Sequence, residues 1–155
     1  MAAIETTTGR SGIAAFARPP HLRYGGIVGW LTAPAGAVVQ VVEPMRGTAE
    51  AASWLVGPAF DMLDRQYPNH NALILVFDLG DMTGRSAAAR SVFLAKAREV
   101  GKRFAEGWFV PPRAASPAYR QATRASLALI RALGVQIEVV DSAATAIVRR
   151  GLRPL

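Results

Sequence analysis

The chain has 155 residues, 51% of them apolar and 19% charged, with no cysteine and a formal net charge of +7. That length suits one domain around one core, and no apolar run approaches the roughly 20 residues that span a bilayer. Disulfides, thiolate catalysis and cysteine metal sites are excluded, and two isolated histidines, His21 and His70, do not make the four-ligand set of a structural zinc site.

Residues 1–23 mix Thr, Gly and Ser with the Pro19-Pro20 pair, which predicts a mobile arm. The arm lacks the basic-then-apolar pattern of a secretory signal, so a cytoplasmic protein is expected. Two β-rich runs, Tyr24 to Thr32 and Ala37 to Glu43, bracket Ala33-Pro34-Ala35-Gly36 and predict an antiparallel hairpin. Thr48 can cap a helix over Ala49 to Tyr67, kinked or divided at Gly57-Pro58. Ala72 to Phe77 is then a continuous apolar run closed by Asp78, the pattern of a central strand buried on both faces. Open α/β sheets present ligand and partner sites at the carboxyl ends of their strands. Asp78, Asp81, Thr83, Arg85 and Ser86 therefore form a candidate switch loop.

From Ser86 to Phe104, Ala89, Phe93, Ala97, Val100 and Phe104 recur at helical spacing, and Trp108 to Val110 is a short strand. Ser116-Pro117 is an N-cap followed by proline at the first helical position, and Gly134 ends that helix near Leu133. Tyr119, Ala122, Ser126, Leu129, Ile130 and Leu133 cover its apolar sector. Arg120, Arg124 and Arg131 lie within about 40° of one another at 100° per residue, with Leu127 among them. This row is either a partner face or a solvated helix surface. Val135 to Val140 alternates as a strand, Asp141-Ser142 cap a last helix to about Arg150, and 151–155 is a short tail. The expectation is a single α/β domain over residues 24–150.

An opening hairpin followed by alternating helices and strands resembles the STAS domain, the fold of anti-sigma-factor antagonists and of sulfate-transporter tails. The detailed similarity runs from Asn71 to about Val148: Leu73 to Leu79 resembles its strand ending in Asp-Leu, Ser116 to Gly134 its next-to-last helix, and Gln136 to Ala146 its closing strand and Ala-rich helix. The resemblance implies a mixed sheet with an N-terminal antiparallel hairpin and helices packed on it, in a regulatory protein that works by protein contact in bacterial signalling or spatial regulation. In the antagonists the loop after the Asp-Leu strand carries Asp-Ser-Ser/Thr-Gly, whose hydroxyl is phosphorylated. Here Thr83-Gly84-Arg85-Ser86 departs from that motif. A phosphate at this helix start would meet free backbone N–H groups, and Arg85 and Arg90 could pair with it, but Ser86 or Thr83 can equally serve only as a cap.

Other chemistries lack their parts. Asp78 resembles a receiver phosphoacceptor, but the acidic pair and the lysine that such a site needs are missing, and Asp78 with Asp81 fits a loop cap better than a metal site. No phosphate-cradling Gly-Lys-Ser/Thr loop and no Ser/His/acid set can be assembled. The expectation is therefore no catalytic residue, no metal and no cofactor. The +7 charge raises nucleic acid as a partner, but 16 of the 18 basic residues are Arg and they are spread along the chain, so a protein partner is favoured. Val38, Val39 and Val41 predict an uncovered hairpin edge that pairs with a second copy or with the Ile13 to Phe16 patch, giving a homo-oligomer. The alternatives are a sensor of a small ligand, lipid or nucleotide in the crevice around residues 78–86, and a basic nucleic-acid-associated module.

Overall fold

The computed structural model describes Phe16 and residues 18–69, 71–114 and 116–155, so Ile13 and His70 lie outside the described residues. A seven-stranded mixed sheet organises them. Strands β1 (Leu22–Tyr24), β2 (Ile27–Ala33) and β3 (Gly36–Val41) are antiparallel neighbours. Counting β4 (Met45–Gly47) and β6 (Met82–Arg85) in chain order, β3 is followed across the sheet by β5 (Leu73–Asp78), β7 (Phe104–Val110) and β8 (Gln136–Val139), all parallel. A short β9 (Arg153–Pro154) joins β2, and β4 and β6 form a separate parallel pair. The helices are α1 (Ala49–Trp54), α2 (Phe60–Gln66), α3 (Ala87–Val100), α4 (Pro117–Ala132) and α5 (Ala143–Arg150).

The apolar run from Leu73 to Phe77 works as a strand because each face of the sheet has its own cover. Leu73 and Phe77 enter a cluster with Leu31, Val39, Leu55 and Leu63 under α1 and α2, while Ile74 and Val76 enter another with Trp30, Val38 and Ile147 under α5. Burying such side chains stabilises by roughly 1.5–3 kcal/mol each, against roughly 1–2 kcal/mol to fix each residue's backbone, so one-sided burial would leave β5 with little surplus. Between α1 and α2 the backbone widens into one π turn, Leu55–Ala59, around Pro58. Proline has no N–H to give to the turn before it, and the wider turn accommodates the missing bond.

Three expectations change. Leu22–Tyr24 is a strand and Phe16 is buried edge-on against Trp30, with ring centroids 5.6 Å apart, so residues 16, 22 and 23 of the expected arm pack on the domain's own sheet. The 151–155 tail contributes β9. The third correction concerns self-association: Val38, Val39 and Val41 lie on β3, which is hydrogen-bonded to β2 on one side and to β5 on the other, and all three are buried. The hairpin reading holds, but its second strand is interior to the sheet because the parallel strand β5 takes the edge that the sequence left open.

At the start of β3, a Cβ on Gly36 would lie 1.8 Å from the Ile74 carbonyl oxygen, whereas one on Gly84 would meet nothing within 4 Å. Gly36→Ala is expected to lower stability by at least about 2 kcal/mol, seen as a lower midpoint in urea denaturation. Gly84→Ala should shift it by no more than about 0.5 kcal/mol.

Candidate functional site

Beyond β5 the expected switch residues separate into different roles. Asp78 is only 3% exposed; its Oδ2 accepts from Gln40 Nε2 at 3.0 Å and its Oδ1 from the Gly80 backbone N–H at 2.9 Å. It holds the turn and the β3–β5 ladder together, and presents no open carboxylate. Asp81 pairs with Arg113 at 3.3 Å on the surface. Residues 82–85, expected as loop, form β6, because Met82 to Arg85 find a ladder partner in Met45 to Gly47. Thr83 is exposed and donates to the Met45 carbonyl, and Ser86 Oγ accepts from the Ala89 N–H at 3.1 Å as the N-cap of α3. Among the described residues no three His, Asp or Glu side chains group as metal ligands.

Arg85 projects from β6 into the layer between sheet and helices. Its Nη2 donates to Ser126 Oγ at 2.6 Å, Arg90 Nε donates to the same oxygen at 3.0 Å, and Ser126 Oγ in turn donates to the Ala122 carbonyl. The Arg85 guanidinium carbon sits 5.9 Å from the Tyr119 ring centroid. Arg85 Nε and the hydroxyls of Tyr119 and Thr123 are buried without hydrogen-bond partners among the described residues. Burial pulls the Arg85 guanidinium below its ordinary pKa, with Tyr119 opposing and Arg90 adding to the shift; burial likewise raises the Tyr119 phenol, with Arg85 opposing. Among the described residues neither Arg85 nor Arg90 forms an ion pair with a carboxylate.

Arg85, Arg90, Thr123 and Ser126 line an apolar cavity of about 70 Å³ whose wall also includes Phe77, Met82, Phe93 and Leu127. A second apolar space of about 90 Å³ continues under α3 beside Phe60 and Phe104, and Phe77, Phe93, Phe109 and Ile130 line both. The helix α3 lies over these spaces, and of its residues only Ala89 is buried. From the sequence, Arg85 and Arg90 are candidate partners of an anion, Tyr119 and Ser126 belong only to the apolar sector of α4, and Thr123 is not singled out. A signal was present, since no acid occurs from Met82 to Arg98 or between Glu106 and Glu138. Those are the segments that meet here.

On the outer side of α4, Arg120, Arg124 and Arg131 are exposed together, but Leu127 is 6% exposed and packs on Val135 and Ile137. This corrects the expected partner face. Tyr119, Thr123, Ser126 and Ile130 centre the inward stripe, Leu127 lies about 70° from that centre at 100° per residue, and the inward neighbours capture it. Leu129 and Leu133, expected inside, are exposed.

No family model and no curated protein matches the chain. Among solved structures, a protein of Shewanella loihica PV-4, an uncharacterized member of the DUF3478 family with a SpoIIAA-like fold, superposes with a TM-score of 0.52 at 13% identity. The match covers 74% of this chain and 82% of that one. The fold is SpoIIAA-like. This agrees with the STAS-type mixed sheet expected from the sequence, and at this identity the likeness is one of fold. No helix of the described residues is long and apolar enough to cross a membrane.

Asp78→Ala leaves two buried donors without their acceptor and should cost about 1–3 kcal/mol. Ser86→Ala removes a cap and should cost about 1 kcal/mol, and Thr83→Ala no more than about 0.5 kcal/mol. Chemical denaturation of the three variants checks this order; a Thr83→Ala cost above that of Asp78→Ala would reverse the assignment of roles.

Proposed function

We propose that this chain is a non-catalytic regulatory domain, of the kind used in bacterial signalling, that acts by protein contact and carries a small apolar anion between its sheet and α3. The ligand reading rests on one observation: two arginines converge on a single hydroxyl oxygen at the wall of an apolar cavity with no acid among the lining residues. A buried cation is costly to desolvate and two neighbouring ones repel, so the site gains most from a negative group. A carboxylate there would accept from Arg85 Nε and from the Thr123 hydroxyl, both of which line the cavity side. The sensor alternative read from the sequence thus moves from the crevice outside the sheet to the layer beneath α3, with Arg85 common to both.

Size limits the apolar part. A cavity of about 150 Å³ accepts benzene, so the two adjoining spaces suit an aryl group or a medium-length alkyl chain once Phe93 turns aside. Protein contact is supported by the fold, which is associated with regulatory interactions. The helix α4 gives the two activities a shared part: Thr123, Ser126 and Leu127 line the cavity while Arg120 and Arg124 stand on its outer side.

Octanoate and 1-octanol test the charge requirement, since they share a chain and differ in head group. At a concentration one hundred times its dissociation constant octanoate should add about 2.7 kcal/mol, a rise in melting temperature of about 5–10 °C at this chain length. Arg85→Gln with Arg90→Gln should abolish the rise. An equal response to octanol would remove the anion reading, and no response to either would remove the ligand.

A further inference from the structure

Strand β8 ends the sheet, and among the described residues no strand lies beyond it. The Val140 N–H donates to the Phe109 carbonyl at 2.8 Å, so residues 136, 138 and 140 serve the parallel ladder to β7. The backbone groups of Ile137 and Val139 consequently point outward. Arg131 Nη2 donates to that outward Ile137 carbonyl at 3.3 Å, and Val139 is 49% exposed. Beside this edge, at the carboxyl ends of β7 and β8, runs a groove of about 340 Å³ lined by Arg113, Arg120, Arg124 and Arg131 and by no acid.

We propose that this edge and groove take an acidic, extended segment of a partner protein, added as a strand beside β8. The outward N–H and carbonyl groups of Ile137 and Val139 supply the new ladder, and alternate acidic side chains of the segment turn toward α4. Alternate residues of a strand stand about 6.7 Å apart, close to the roughly 6 Å rise between Arg120 and Arg124, so consecutive same-side acids meet consecutive arginines. Arg131 acts as a gate. Its bond to the Ile137 carbonyl closes the edge to neutral strands, and a carboxylate, which makes the stronger charge-assisted bond, draws it away and frees the carbonyl. The +7 charge of the chain adds long-range attraction for such a segment.

This contact does not require the cavity to be filled, so it is tested on ligand-free, full-length protein. The probe is a fluorescein-labelled, end-blocked octapeptide of alternating Glu and Thr, followed by anisotropy at low and at physiological salt. Wild type should bind, more weakly as salt rises, and R120Q/R124Q/R131Q should weaken binding at least tenfold. Val139→Pro removes an outward N–H while leaving the ladder to β7, and should weaken binding about tenfold with the circular dichroism spectrum unchanged. A peptide of equal charge with proline in place of each Thr, run on wild type, should be weakened similarly and stands independently of whether that variant folds. No binding of the Glu-Thr peptide overturns the proposal. Equal binding of the proline peptide reduces it to charge alone, and tighter binding of a DNA duplex through the same arginines assigns the face to nucleic acid instead.

Discussion

Where β3 meets β5 the backbones come so close that Gly36 has no room for a side chain against the Ile74 carbonyl, and four pairs further on the same ladder ends in the hydrogen bond between Gln40 and Asp78. The rest of the domain follows from this join. It makes β3 an interior strand and brings the antiparallel hairpin and the parallel β5, β7 and β8 into one sheet. It also sets the direction in which the chain leaves β5: Asp78 fixes the Gly80 turn, Leu79 bonds back to Val110, and β6 is delivered to β4. That placement in turn carries Arg85 inward and leaves Ser86 to start α3.

The distribution of charge around α4 is uneven in a way that net charge does not convey. The helix has no acid, and its cations stand only on the outer side, yet its inner side is also cationic because β6 and α3 bring Arg85 and Arg90 to Ser126. Water attenuates repulsion among the outer arginines, since its high dielectric leaves only about 1 kcal/mol between two solvated charges even at 4 Å. Partial burial reduces that relief for Arg85 and Arg90. The two faces therefore favour different anions, the inner one small and partly apolar, the outer one long, flexible and solvated. A shift of α4 moves both at once.

Much of the fold was legible because it depends on near neighbours in the chain. The double-sided burial of β5, the divided helix at Gly57-Pro58, the Ser86 and Ser116 caps and the closing α5 all answer to residues within a few positions of one another. The short strands β1, β4, β6 and β9 were missed, since two to four residues carry no readable period and become strands only when a distant partner supplies the ladder. Leu127 shows the same limit on a helix. Its wheel position borders both the apolar stripe and the arginine row, and Val135 and Ile137, from the next strand, decide for the interior.

By itself the sequence determined the longer helices and strands, their order and the STAS-type pattern, all of which rest on local periodicity and residue chemistry. Tertiary structure alone decided that the Val38 to Val41 strand has no free edge, that β8 has one among the described residues, and that Asp78 is committed to Gln40. It also decided that Arg85 meets Ser126, 41 positions along the chain, in a part-buried contact beneath the helices. The physical reason is that backbone pairing and the loss of solvent are properties of two surfaces brought together, and neither surface carries them before they meet.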